Sequence, residues 1–250
     1  MKTIQFTPTF VQTKNVRSFE TMMDGLMFAR GGAGECDERL GCVWGRAGRG
    51  KTRTVQTWAA RTGCPYVECI SIWSELDFLR GIAAKLGVHP GSIPFRRGAC
   101  FDVVVNAFMQ TGRPLFIDEI ELNEQKTTQA KKFIEIARNI AKITGGIIVC
   151  IGEEELPHIM MENRRTWSRT YRQMEFKPVS SSDIYLYINQ TTGLNITDAA
   201  IALLLKRSGG DLRVIRSITI NLTHAAKSLG RDGEVDVDLI KMACKLSMQE

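Results

Sequence analysis

Residues 45 to 52 read Gly-Arg-Ala-Gly-Arg-Gly-Lys-Thr, a full match to G-x-x-x-x-G-K-[ST]. The pattern needs a particular setting: a strand that delivers a tight loop, and a helix that leaves it. Both flanks are present. LGCVW (40–44) is an apolar, strand-like run, and TRTVQTWAARTG (52–63) reads as a helix stopped by glycine. Glycines at 45, 48 and 50 let the backbone curl so that successive N–H groups point inward, toward phosphate oxygens. Gly45, Arg46, Ala47, Gly48, Arg49 and Gly50, with Arg53 just beyond, are therefore expected to surround a nucleotide's phosphates. Lys51 is expected to reach the β- and γ-phosphates, and the Thr52 hydroxyl to ligate Mg²⁺. The dipole of the helix that follows adds to the anion site.

The remaining chain repeats the strand–helix alternation. YVECI (66–70), RPLFIDEI (113–120), GGIIVCIG (145–152) and QMEFKP (173–178) read as strands. SELDFLRGIAAKLG (74–87) reads as a helix with Ser74 as N-cap and Asp77 three residues on, close to a capping box. HPGSIPFRRG (89–98) reads as a loop, with a helix from there to about 111. The strongest helical pattern is 126–143, where Ala130, Phe133, Ile134, Ala137, Ile140 and Ala141 form one apolar stripe. Such alternation predicts an α/β fold, a parallel sheet covered on both faces in three αβα layers. An extended start leads to a helix near 16–30, broken by the glycines of RGGAG (30–34). From Ser180 onward the pattern is all helix: 182–191, 198–207, 211–229 and 236–248. Three segments are expected: an N-terminal extension (1–34), a nucleotide-binding domain (35–178) and a helical lid (179–250).

Bulk properties narrow the setting. The 250 residues suffice for one large or two modest domains, and 44% hydrophobic with 24% charged residues is ordinary for a soluble protein. No apolar run approaches a membrane span, and MKTIQFTPTFVQTKN has no secretory apolar region. Seven cysteines form no C-x-x-C pair and only three histidines occur, so a structural zinc site is not expected and reduced thiols in a cytosol are. The net charge of +6 is compatible with nucleic acid as a partner. Between residues 80 and 113, Arg80, Lys85, Arg96, Arg97 and Arg113 face a single acid, Asp102.

Asp118 and Glu119 close the apolar run Leu115-Phe116-Ile117. In parallel sheets ligands collect at the carboxyl ends of strands. Downstream of a phosphate loop, the first carboxylate can hold Mg²⁺ through its water shell and the second can orient and deprotonate an attacking water. The adjacent pair points to hydrolysis rather than to a small-molecule kinase. Two arginines complete the set. Arg169 stands just before the last strand, where it can project at a neighbouring subunit's γ-phosphate. Arg213, in Gly209-Gly210-Asp211-Leu212-Arg213, can reach phosphate from the lid.

In this order the motifs resemble the AAA+ ATPases, over about residues 16 to 245. Within them, the opening Phe10-Val11-Gln12-Thr13-Lys14-Asn15-Val16 is similar to that of transposition regulators, the B protein of Mu-like phages and TniB-type ATPases. That resemblance implies an AAA+ P-loop NTPase that uses ATP and Mg²⁺, hydrolyses ATP to ADP and phosphate, and binds double-stranded DNA without sequence preference. It implies a helical homo-oligomer on DNA, a transposase as partner, and the cytosol of a bacterium or phage-infected host. It assigns Asp118 and Glu119 as the Walker B pair, Arg169 as the finger and Arg213 as the second sensor. Two positions depart from the family pattern. Glu153 stands where a small polar first sensor is usual, and Arg164 and Arg165 compete with Arg169. The Mu protein also has an extra N-terminal DNA-binding domain, for which this chain has no room.

DNA contacts are therefore expected from the ATPase domain itself, at Arg96 and Arg97 in the loop and at Lys131, Lys132, Arg138 and Lys142 on the long helix. Summed along a filament, such contacts would give steep salt dependence. Two other readings stay open: a replication initiator or helicase loader, and a signalling NTPase that uses ATP as a switch.

Overall fold

A computed structural model describes residues 5–28, 39–121, 127–230 and 233–246. The glycine break at 30–34 and Cys36 lie outside those residues. The chain divides into two units: one of residues 19–46 and 51–176, the other of residues 1–18, 47–50 and 177–250.

The first unit is built on five strands: β1 (Arg39–Trp44), β2 (Tyr66–Glu68), β3 (Leu115–Asp118), β4 (Ile147–Ile151) and β5 (Thr170–Glu175). They pair in the order β2-β3-β4-β1-β5, every pair parallel. β4 is buried at all five positions, which is why its sequence is a continuous apolar run rather than an alternating one. Helices α1 (Lys14–Phe28) and α2 (Lys51–Thr62) cover one face of the sheet. The other face carries α3 (Glu75–Lys85), α4 (Arg97–Thr111), α5 (Thr127–Thr144) and α6 (Leu156–Glu162).

Side-chain alternation along the strands divides the apolar residues between the two layers. Val43, Phe116, Val149 and Ile151 pack with Phe19, Met22, Met23 and Leu26 of α1 and with Val55 and Ala59 of α2. Cys42, Ile117, Ile148 and Cys150 pack on the other side, with Phe78, Val104 and Phe133 among them. The Phe78 and Phe133 rings stack at 4.3 Å between centroids and 6° between planes.

The predicted stripe of α5 is buried at all six positions. Ser74 and Asp77 form a complete capping box on α3. Some boundaries differ from expectation. β3 covers only Leu115–Asp118, because Pro114 lacks an N–H and Glu119 turns the chain into the left-handed region. The last strand is Thr170–Glu175 rather than 173–178. It is preceded by α6 and by the four-residue α7 (Arg164–Trp167), too short to show a helical period.

In the second unit, α8 (Ser181–Thr192), α9 (Asp198–Ser208), α10 (Leu212–Ser228) and α11 (Val237–Leu246) enclose their own core around Ile188, Leu204, Ile215, Leu222 and Ile240. The expectation of helix alone needs one amendment. Two-residue strands β6 (Asn195–Ile196) and β7 (Glu234–Val235) pair in parallel, burying Ile196 and Val235 in that core. The N-terminal segment belongs to this unit. Thr7 N–H donates to the Thr191 carbonyl at 2.7 Å, and Lys14 N–H to the Asp183 carboxylate at 2.7 Å. Val11, Thr13, Asn15 and Val16 of the opening motif are all buried. The Asn15 side chain brackets one backbone position, donating to the Lys177 carbonyl at 2.7 Å and accepting from its N–H at 3.2 Å.

Candidate nucleotide and metal site

β1 is flanked by β4 and β5, so the loop that leaves its carboxyl end starts within the sheet's carboxyl edge, one strand in from the rim. Gly45 begins it at φ 144°, where a Cβ would sit 2.6 Å from the Phe176 carbonyl oxygen. Glycine is thus dictated by backbone passing close alongside, independently of any ligand. Lys51 opens α2 and is only 7% exposed. Its ammonium folds back along the loop and donates to the carbonyl oxygens of Gly45 and Arg46. Both acceptors are neutral carbonyls, not carboxylates. Thr52 is half-buried; Arg46 and Arg53 are exposed.

Residues 47–50 belong to the second unit, where they meet the start of α10. At Gly48, φ 78°, an added Cβ would lie 2.1 Å from the Asp211 carboxylate. The Gly48 carbonyl accepts the Leu212 N–H at 2.9 Å. Arg49, 8% exposed, donates to the Gly209 carbonyl at 2.7 Å. Half-buried Ala47 and Gly50, at φ 90°, complete this stretch. Asp211 is the N-cap of α10 and accepts the N–H of Arg213 at 2.7 Å, leaving the Arg213 side chain exposed in the first helical turn.

Asp118 ends β3 on the same carboxyl edge that Trp44 and Ile151 end, and it is fully buried. Each carboxylate oxygen has one neutral donor. Oδ2 accepts the Tyr66 hydroxyl at 2.7 Å, and Oδ1 accepts the Glu119 N–H at 2.9 Å. Burial, then the Asp118 charge, pushes the Tyr66 phenol far above its usual range, so it stays a donor. Gln56 of α2 donates to the Tyr66 oxygen at 3.2 Å. Sequence reading overlooked Tyr66 and Gln56, since neither stands in a motif.

Glu119 has φ 54°, the one positive-φ residue other than glycine among the described residues. A glutamate there costs roughly 1–2 kcal/mol, and such strain clusters at functional sites. Burial raises its pKa, the charges of Asp118 and Glu153 add to the rise, and Lys51 opposes it. A carboxylate moved up in this way is a better proton acceptor near neutrality.

Glu121 was also overlooked. It is 7% exposed, and burial pushes its carboxyl up to about 7. One oxygen accepts the Glu153 N–H at 2.5 Å; the other, Oε2, is buried without a hydrogen-bond partner among the described residues. Glu153 stands two residues beyond the end of β4 with its side chain exposed, so the turn after β4 is gripped through its backbone. The signal for Glu121 lay in its position, a third acid closely following Asp118-Glu119.

Thr52 and Asp118 offer a hydroxyl and a carboxylate, hard oxygen donors of the kind Mg²⁺ takes. A carboxylate has about four acceptor directions, of which Asp118 uses two, so its lone pairs suit a metal's water shell. Arg169 is half-buried and immediately precedes β5, its N–H donating to the Thr166 carbonyl at 3.1 Å. Arg164 and Arg165 are exposed on α7. With Lys131, Ile134, Ile159 and Asn163 they line an open cleft of about 510 Å³.

Of the expected DNA-binding residues, Arg97 and Lys132 share the Glu75 carboxylate, at 2.5 and 3.1 Å. Lys131 pairs with Glu162. Arg138 is half-buried and donates to Asn139 at 2.8 Å, whereas Arg96 and Lys142 are exposed.

The sheet order, the loop after β1 and the helical second unit define the fold of the AAA+ P-loop NTPases. Among solved structures the chain is similar to Cdc6p from Pyrobaculum aerophilum, at 15% identity and a TM-score of 0.62. That match covers 90% of this chain and 66% of the other, so the chain spans about two thirds of its relative. ORC2 from Aeropyrum pernix, solved with ADPNP and ADP, gives 17% identity, 96% and 70% coverage and a TM-score of 0.61. The RuvB Holliday junction branch migration motor of Thermotoga maritima gives 17%, 95% and 70%, and 0.57. At these identities the likeness is one of fold. No protein-family model matches the sequence, and no curated protein does.

Proposed function

We propose that this protein is a Mg²⁺-dependent ATPase that assembles on duplex DNA without sequence preference and presents that DNA to a transposase. The carrying observation is the carboxyl edge of one parallel sheet. There buried Lys51 opens α2 after the β1 loop, and Asp118 ends β3 with the strained, pKa-raised Glu119 directly after it. Lys51 holds phosphate charge. Thr52 and Asp118 hold Mg²⁺, which when bound polarises the terminal phosphate and offsets its charge. Glu119 orients a water and accepts its proton. Arg213 contributes from the helical unit, and Arg169 acts at a neighbouring subunit's nucleotide.

The transposition reading draws on the Phe10–Val16 motif, whose Val11, Thr13, Asn15 and Val16 are all buried and whose Asn15 binds the backbone at Lys177. Replication initiation or helicase loading is the second reading. It draws on the likeness to Cdc6p, to ORC2 and to domain III of the Thermotoga maritima replication initiation protein DnaA, the last at 17% identity and a TM-score of 0.53.

One experiment tests both readings: wild type, Lys51→Ala and Glu119→Gln imaged with ATP and random duplex, alongside ATPase rates. Expected are DNA-bound assemblies for wild type, none for Lys51→Ala, and long-lived assemblies for Glu119→Gln with hydrolysis reduced at least a hundredfold. No ATP-dependent binding to random duplex, with binding to one defined sequence or to a helicase instead, would replace the transposition reading by the second.

A further inference from the structure

Phe95 is 80% exposed, at the tip of the connection between α3 and α4. Leaving a phenylalanine ring in water forgoes roughly 1.5–3 kcal/mol of burial. The loop is firmly held at its base. Ile93, two residues before, is buried in the main core at 6% exposure. A 3-10 turn at Pro90–Ser92, capped by the His89 side chain, and the fixed φ of Pro94 stiffen the approach.

The ring itself is held from one side. The Arg80 guanidinium of α3 lies 4.4 Å from its centroid. One nitrogen of that guanidinium is buried without a hydrogen-bond partner among the described residues. A cation placed there sets the ring's orientation and leaves its opposite face outward. Arg96 and Arg97 follow directly, Arg96 exposed and Arg97 in a weak surface pair with Glu75. The tip therefore offers one apolar plate among three guanidinium groups.

Charge decides between possible partners. An apolar protein surface would be served by the ring alone and would have to desolvate the arginines. A nucleic-acid backbone matches them, and it places bases within reach of a ring.

We propose that Phe95 is a wedge that inserts at a base step of duplex DNA, while Arg96 holds the adjoining phosphate and Arg80 steadies the ring from behind. This rests on the DNA-binding reading above and adds to it a contact that does not depend on salt. Phosphate contacts release counterions and weaken with salt; insertion at a base step contributes through stacking and unstacking, and distorts the duplex. The protein should then favour steps that open easily, such as a mismatch or a pyrimidine–purine step.

The test uses the full chain with ATP on a random duplex carrying 2-aminopurine beside a mismatch, and on the matched duplex. Wild type, Phe95→Ala, Phe95→Leu and Arg96→Ala are compared across a salt series. For wild type we expect a rise in 2-aminopurine fluorescence and a preference for the mismatched duplex. Phe95→Ala should lose both and bind about tenfold more weakly, with an unchanged slope of log affinity against log salt. Arg96→Ala should keep the fluorescence change and lower that slope by about one. Phe95→Leu, still an apolar wedge, should retain much of the distortion.

Wild-type binding that Phe95→Ala leaves unchanged in affinity and fluorescence overturns the wedge while leaving DNA binding intact. So does a Phe95→Ala defect confined to self-association without DNA, which would make the ring a protein contact. Failure of wild type to bind any duplex overturns the DNA-binding reading itself.

Discussion

Burial, with one oxygen lacking a hydrogen-bond partner among the described residues, makes Glu121 a pH-dependent element of stability. Its carboxyl sits at about 7 in the fold against 4.5 ordinarily, so between those values the native state holds a proton that the unfolded chain has released. Stability from this group is therefore fully present below pH 4.5 and is lost as pH rises through 7, by roughly 3 kcal/mol. Glu121→Gln keeps an oxygen for the Glu153 N–H and removes the titration. Urea midpoints at pH 5 and pH 8 should fall for wild type and stay nearly level for the variant; parallel profiles would show that the ionised carboxylate is accommodated at no cost. Tyr66 gives the complementary case. Tyr66→Phe removes the donor to Asp118 Oδ2 and leaves a buried carboxylate one bond short, so unfolding free energy should drop by about 1–3 kcal/mol. An unchanged midpoint would mean that the hydroxyl is dispensable to Asp118. Neither residue announces itself in the sequence. A tyrosine on a strand and a third acid after Asp118-Glu119 acquire meaning only when parallel pairing sets Tyr66 beside Phe116 and β4 brings Glu153 over Glu121.

Elements were legible where local chemistry and burial agree. The α5 stripe is one example, since a helix against a sheet must be apolar at every inward position. The Ser74–Asp77 box is another, because its bonds close within four residues. Boundaries set by distant partners were not legible. β5 begins three residues early because its register is fixed by pairing with β1, Leu40 against Thr170 and Gly41 against Arg172. The same holds for the opening segment, read as an extended lead-in. Its Asn15 carries out long-range pairing like that of a strand, with a single side chain in place of a ladder. Asn15→Ala leaves the Lys177 N–H and carbonyl without their donor and acceptor, and Asn15 itself is 9% exposed. A loss of about 2 kcal/mol is expected. Hydrogen exchange should show it concentrated in residues 5–18 and α8; uniform loosening of the chain would count against the clamp.

At the scale of the whole molecule, a net charge of +6 matters less than how many of the positive groups are already engaged. Three of the six expected DNA contacts are tied to acids, and two of those three, Arg97 and Lys132, are tied to the same one. Exposed pairs of this kind contribute at most about 1 kcal/mol, so a phosphate can displace the carboxylate, although the released Glu75 then repels it. Glu75→Gln removes the competitor and frees two cations together. The effect on folding should be small, since a first-turn acid on a helix contributes roughly 0.3–1 kcal/mol. The effect on DNA should be the reverse of most substitutions: several-fold tighter ATP-dependent binding at low salt. The log–log salt slope should steepen by about 0.9 for each new phosphate contact. Glu20→Gln makes the same charge change beside Arg61, another exposed pair in this unit. Comparing the two separates local release from a general gain in positive field. Equal tightening by both variants would reduce the Arg97–Lys132 face to one part of a diffuse basic surface. Tightening by Glu75→Gln alone, lost again in Glu75→Gln with Lys132→Ala, places DNA on that face.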